Sequence, residues 1–393
     1  MIFYLAVIAT VLNQIAFKGS KVLMSLFAME LGADQFMVGL LISLYSVFPL
    51  FLAVTAGRLS DRFGPRIPML FGSLGLAGGL FLPFLLPRLA MLFISAAVIG
   101  FLYIFYTVSV QHLIGSFGSG EQRTRNFSTF SLGVALSALF GPTLTGFSID
   151  LAGHRFTYLL LALIPTAPAV FLLFFARQLP HTTMAERHAH KPMLNLLRNV
   201  PLRRALVTAG VIETGLELFN FYMPIYGYSL GLPASQIGII MGAFGAAMLL
   251  MRTAIPLMVR RSSEETALFG SLGLAAAACV FFPFVSSVYL LIGISFVLGL
   301  GLGCCSPLSL IITYNRAPDG QNGEAMGMRQ TVNKFIQVLV PVIVGTLGSA
   351  FGVGPAFWMD ALMLASGAFI MRTDARSRLR GAAAHPGQAG PAQ

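Results

Sequence analysis

Two pairs of polar side chains stand inside long apolar runs, four residues apart in each case: Gln14 with Lys18, and Glu213 with Glu217. Residues four apart share one face of a helix. An ionisable group near the middle of a membrane span costs roughly 2.5–3.5 kcal/mol on insertion scales, so it faces a protein interior or water rather than lipid. Three chemistries are open to such groups. An ammonium can bind an anionic solute, a carboxyl in a low-dielectric cavity can exchange a proton, and the two together can form a structural ion pair. Asn13, Lys21 and Asn220 lie close to the same pairs, and Arg329, Gln330, Asn333 and Lys334 form a third polar group. Arg329 sits near the end of its run, within reach of the interface, whereas Lys334 is deeper.

The elements that carry these residues follow from composition. Of 393 residues, 56% are hydrophobic and only 10% charged, against about 25% charged in soluble domains. Runs long enough to cross a bilayer fall near 4–28, 36–56, 67–87, 90–114, 127–149, 156–176, 205–229, 236–258, 266–285, 288–313, 326–349 and 356–371. Irregular backbone cannot face lipid, so these runs are expected to be helices. The net charge of +11 is a membrane signature rather than a nucleic-acid one. Arg58, Arg62, Arg66, Arg123, Arg125, the central loop, Arg260, Arg261, Arg316 and the tail arginines share one face, while Arg88 and Arg155 mark the other. That asymmetry places the basic face and both termini in the cytoplasm. Residues 1–28 lack a basic start and an A-x-A-like site, so no cleavable signal peptide is expected there. Cys279, Cys304 and Cys305 all lie in apolar runs and imply no disulfide framework.

The chain repeats itself. FGSLGLA at 71–77 returns at 269–275, and LGADQFMVGLL at 31–41 aligns with LGLPASQIGII at 230–240. Gly100 and Gly299, Pro142 and Pro341, and Gly146 and Gly345 are each separated by 199 residues. Two six-helix halves are therefore expected, at 1–176 and 205–372, joined by a cytoplasmic loop at 177–204 and followed by a disordered tail at 373–393. Parallel six-span halves related by an axis along the membrane normal are a transporter plan, with the site at their interface. The same offset pairs Lys18 with Glu217 and Gln14 with Glu213, which puts the two patches across one cavity. Glu217 becomes the expected partner of Lys18, either as a structural pair or as part of a solute site. Glu213, with no lysine at its own repeat position, becomes the preferred proton carrier.

Between the second and third spans stands GRLSDRFGPR, residues 57–66. Its Gly57, Leu59, Asp61, Arg62, Gly64 and Arg66 resemble the signature loop of the major facilitator superfamily, Gly-x-Leu-Ala-Asp-Arg-x-Gly-Arg-Arg, with Ser60 and Pro65 as departures. The resemblance implies an all-α membrane protein of twelve transmembrane helices in two pseudo-symmetric bundles. It further implies that Asp61 pairs with charge at the cytoplasmic end of the eleventh span in the outward-facing state, with Arg329 the candidate partner. The second-half counterpart, PLMVRRSSEE at 256–265, lacks the glycine and aspartate, so gating by this device is expected to be asymmetric. GVALSALFGPTLTGF at 133–147 partly matches a pattern of drug/proton antiporters through Gly141, Pro142 and Gly146; its upstream glycine is displaced and its double glycine broken. Small residues there allow close helix packing, and Pro142 is expected to bend the helix. No arginine occurs inside the fourth span, where Tyr103, Tyr106, Gln111 and His112 either line the cavity or belong to an interface belt.

Other signals point away from other functions. His181, His188 and His190 lack a second ligand set, so no metal site is expected in the central loop. No G-x-x-x-x-G-K-[ST] occurs, which leaves ATP hydrolysis unsupported, and no catalytic constellation or cofactor is expected. The reading is a monomeric inner-membrane transporter in the lipid bilayer, with protons as coupling ion and no nucleic acid as partner. Export of a small organic compound comes first, and uptake of an anionic or zwitterionic metabolite second. A transport-dead receptor or scaffold is the alternative of a different class.

Overall fold

The computed structural model describes residues 2–117, 120–174, 198–261, 263–318, 321–352 and 354–384. They form α1 (Ile2–Glu30), α2 (Gln35–Phe63), α3 (Arg66–Leu85), α4 (Leu89–Ser116), α5 (Gly120–Leu163), α6 (Thr166–Phe174), α7 (Val200–Ser229), α8 (Ala234–Arg261), α9 (Glu264–Phe281), α10 (Val288–Asn315), α11 (Asn322–Phe351) and α12 (Gly354–Ala384). No strand occurs among the described residues. The expected all-α membrane fold is what the chain adopts.

Ten segments among the described residues are long and apolar enough to cross a membrane. One of them, Arg125–Phe174, has 50 residues. At 1.5 Å per residue a straight helix of that length would reach about 75 Å, more than twice the roughly 30 Å hydrocarbon core. It is broken at Gly153, whose φ of 78° lies in the left-handed region that L side chains avoid, and two crossings fit its two arms. The 30-residue α7 is absent from the ten, and it carries Glu213 and Glu217. The twelve-crossing layout thus depends on the Gly153 break and on α7. Two expected boundaries move. Helix α7 already begins at Val200, inside the expected loop. Helix α12 continues to Ala384, so residues 373–384 extend the last helix instead of a disordered tail. Pro142 lies within α5, whose one non-helical residue is Gly153. The histidines 181, 188 and 190 fall outside the described residues.

The repeat is written into the backbone. Left-handed glycines occur at 32 and 231, at 153 and 352, and at 64; the first four form two pairs 199 residues apart. The turn after α1 closes with Ala33 N–H donating to Ala28 (2.9 Å), and the turn after α7 with Leu232 N–H donating to Gly227 (3.0 Å), again at the same offset. Gly64 alone has no mate, because its counterpart Ser263 caps α9 through Thr266. The degenerate second loop therefore differs in backbone as well as in charge.

The halves meet along two seams, α2 on α11 and α5 on α8. A Cβ at Gly39 would strike the carbonyl of Pro341, and one at Gly238 would lie 2.7 Å from the carbonyl of Pro142. Likewise, a Cβ at Gly345 would lie 2.6 Å from the carbonyl of Gln35, and one at Gly146 would strike that of Ala234. The Pro142/Pro341 and Gly146/Gly345 landmarks are thus places where one half touches the other. Gly141 has a different task within the first half, letting α5 approach α1 at Ile15, Lys18 and Gly19. Gly100 and Gly299 do the same for α4 on α2 at Leu44 and for α10 on α8 at Phe244.

Candidate functional site

These seams leave a cavity of about 470 Å³ between the halves, lined from α1, α2, α4, α5, α7, α8 and α11. Gln14, Lys18, Lys21, Glu213, Glu217, Asn220 and Lys334 all line it. Two expected members do not. Asn13 is buried within the first half, where its amide donates to Ser73 (3.1 Å) and to the Ala9 carbonyl (3.1 Å). Asn333 is buried outside the cavity lining, one residue from Lys334 and so on a different helix face. The Asn220 amide turns back to the Leu216 carbonyl of its own helix, at 2.7 Å.

Lys18 and Glu217 do not pair. Lys21 Nζ stands 3.3 Å from Glu217 Oε2, while Lys18 Nζ donates to the main-chain carbonyl of Val134 at 3.0 Å. The reason is depth. Lys21 is one turn nearer the α1–α2 turn, and at that level Glu217 is within its reach. At the level of Lys18 the closest acceptor belongs to α5, which Gly141 brings against α1. The second half holds another network: Lys334 Nζ donates to Gln337 Oε1 (2.8 Å), and Gln337 Nε2 donates to Glu213 Oε1 (2.6 Å). Ser46 of the first half also donates to Gln337 Oε1, at 3.2 Å. Glu213 is thereby linked to a lysine through an amide, whereas Glu217 touches one directly.

Aromatic rings complete the wall. Phe17 stacks on Tyr103 at 4.6 Å between centroids and meets the edge of Tyr45 at 5.5 Å. The residues left open on α4 now divide: Tyr103 and Gln111 line the cavity, Tyr106 hydrogen-bonds Thr10 within the first half, and His112 approaches Ser60 at 3.4 Å. Reading the sequence alone passed over Gln337 and Arg252. Gln337 is one turn beyond Lys334, a spacing that would have flagged it. Arg252 is a lone arginine inside an apolar helix, and its guanidinium donates to Ser131 Oγ across the α5–α8 seam, at 3.0 Å.

The ends of the cavity differ. At the end carrying the α1–α2 and α7–α8 turns, the halves are latched by helix capping. Asp150, just before the Gly153 break in α5, accepts from Ala234 N–H (3.0 Å) and Ser235 N–H (2.9 Å), the opening residues of α8. Ser349 of α11 accepts from Phe36 N–H of α2 at 3.1 Å. Asp150 and Ser349 are repeat mates at 199, and so are the donors Phe36 and Ser235. Tyr222 adds a bond to Gln35, at 3.0 Å. Toward the other end the lining runs out past Ala53, Val108, Gln111, Phe130 and Gln330, on the side of the 57–66 loop. There Gly64 ends α2 with φ 76°, Gly57 is half-buried near Val108, and Arg62 lies over Phe63. Arg66 donates to the carbonyls of Leu172 (2.9 Å) and Leu173 (2.6 Å). The Asp61 side chain lies outside the described residues. Its expected partner Arg329 is buried and donates to Ser306 at 3.2 Å.

A carboxylate on a helix N-terminus contributes about 1 kcal/mol, roughly a fivefold bias. Asp150→Ala is therefore expected to raise, about fivefold, the rate at which an impermeant maleimide labels a cysteine placed at Met241 from the latched side. An unchanged labelling rate would show that the latch carries no bias.

A model of the Major Facilitator Superfamily matches residues 6–333 and 205–391. The uncharacterized MFS-type transporter YuxJ of Bacillus subtilis is 22% identical over 324 residues, 80% of this chain and 82% of the relative. The multidrug resistance protein MdtG of Citrobacter koseri is 24% identical over 330 residues, 82% of this chain and 81% of the relative. Among solved structures, a POT family transporter in complex with a thioalcohol-conjugated peptide superposes with a TM-score of 0.78 at 14% identity, covering 95% of this chain and 96% of the other. The nucleoside transporter NupG does so with a TM-score of 0.76 at 15% identity, covering 95% and 99%.

Proposed function

The chain belongs to the major facilitator superfamily and is an integral membrane transporter of small solutes, and from that premise we propose that it exports a small organic compound in exchange for protons by alternating access. One observation carries the reading: a carboxylate, Glu213, lines the cavity between the halves and is linked across their interface through Gln337 and Ser46. Rocking the halves about this centre would break the caps at Asp150 and Ser349 and close the opposite mouth. The positive-inside asymmetry supports a cytoplasmic position for both termini and for the 57–66 end of the cavity; in this reading the membrane is a bacterial-type inner membrane and the cavity is loaded from inside. Export is favoured by relatives named for multidrug resistance. Gln14, Lys21, Glu217 and Lys334 form the solute wall, and Gly57, Asp61, Arg62, Gly64, Arg66 and Arg329 the gating end. The protein works as a monomer, because each copy encloses a complete cavity.

The test is a ligand screen by thermal stabilisation of purified protein, followed by flux of the hits in liposomes. An inward-directed proton gradient is expected to drive uphill movement of a hit, and collapsing the gradient to stop it. Uphill movement that ignores the gradient would defeat proton coupling, and stabilising hits that never cross would favour a receptor.

A further inference from the structure

The charges around the cavity do not balance. Lys21 is matched by Glu217, and Lys334 reaches Glu213 through Gln337. Lys18 is left over. Its ammonium lines the cavity, donates to one main-chain carbonyl and meets no carboxylate within ion-pair distance among the described residues. Nor is the excess offset nearby: Arg252 and Arg329 spend their described bonds on Ser131 and Ser306, and their shielded Nε atoms have no hydrogen-bond partner among the described residues. Lys18 is half-buried in the cavity wall, where an unmatched cation is poorly compensated, and its natural complement is an anion arriving with the solute.

A second observation points to the same place. Tyr103 lines the cavity and is 2% exposed, yet its hydroxyl has no hydrogen-bond partner among the described residues. Buried hydroxyls are almost always satisfied, so this donor fits a ligand. The ring of Tyr103 stacks on Phe17, the neighbour of Lys18. Phe130, Phe244, Met241 and Met248 supply the rest of an apolar lining.

We infer that the solute is an amphipathic organic anion whose acid group docks on Lys18, with its apolar body against the Phe17–Tyr103 stack. The inference rests on the transporter reading and specifies its substrate class. Lys21–Glu217 closes the cavity beyond the acid group, and Glu213 stays free for the proton. The cavity of about 470 Å³ holds a drug-sized or smaller body.

The experiment uses full-length protein and three probes with one aryl-alkyl body: 4-phenylbutyrate, its primary amide and its primary amine analogue. The carboxylate is expected to bind at least about tenfold more tightly than the amide, as charge-assisted contacts are the strong ones, and the amine not at all. Lys18→Gln is expected to erase that preference, Lys18→Arg to keep it within a few-fold, and both to melt like the parent without ligand. Equal binding of the three probes by the parent, or an intact preference in Lys18→Gln, overturns the inference. A large loss of melting temperature without ligand in Lys18→Arg as well would assign Lys18 to stapling α1 on α5 instead. Liposome flux separates the two levels. Binding that discriminates charge without transport sinks the transporter reading alone, whereas gradient-driven flux of the amide or amine with no charge preference sinks the anion site alone.

Discussion

Glu213→Gln is expected to reduce gradient-driven solute movement to the level of protein-free liposomes while solute-for-solute exchange continues. The side chain accepts from the Gln337 amide at 2.6 Å and makes no direct contact with a cation among the described residues. A glutamine oxygen can accept the same bond in the same space, so the Ser46–Gln337–Lys334 network is expected to survive. What the variant loses is a proton to trade. Glu217→Gln is the informative contrast. That carboxylate is held by Lys21 at 3.3 Å, with side-chain exposures of 17% for Lys21 and 10% for Glu217. Removing it strands a shielded ammonium, and stability is expected to fall first. Retained uphill movement in Glu213→Gln would move the coupling site elsewhere in the cavity.

Much of the architecture was legible because duplication leaves paired marks that need no tertiary information. Glycine and proline landmarks at an offset of 199 located the halves, and in the folded chain Pro142, Gly146, Pro341 and Gly345 prove to be the seam itself. The polar faces of α1, α7 and α11 were legible for a similar reason: charge inside an apolar run is rare enough to stand out. Pairing was not. Lys18 and Lys21 are three residues apart on neighbouring positions of one face, and choosing between them requires the local gap between α1 and α7. The packing of α5 against α1 at Gly141 also decides it, because it offers Lys18 the Val134 carbonyl instead. Asn13 and Asn333 misled because helices that are apolar nearly all round carry little sign of which face is inside. Gln337 carried only the weak signal of standing one turn beyond Lys334, and Asp150, which accepts from the opening N–H groups of α8, gave none until its partners from the other half were in place.

The same seam supplies the second large effect. A side chain at Gly345 meets main chain rather than a movable side chain: the Gln35 carbonyl lies 2.6 Å from the would-be Cβ, and Phe36 Cα lies 3.4 Å away. Backbone cannot step aside without lifting α2 off α11, and that would also separate Ser349 from Phe36 and Tyr222 from Gln35. Gly345→Leu is therefore expected to forbid the conformation described here and to hold the protein open at the latched end. Moving a two-state equilibrium from 1:99 to 99:1 takes about 5.5 kcal/mol, well within the cost of driving a leucine into main chain. Transport and exchange are both expected to fall at least about 100-fold, and maleimide labelling of a cysteine at Met241 from the latched side to approach completion. Gly270→Ala, where nothing lies within 4 Å of the added Cβ, is expected to behave as the parent. Exchange at parental rates in Gly345→Leu would mean that this seam never has to close during the cycle, and the Gly146 counterpart would then be the place to look for the hinge.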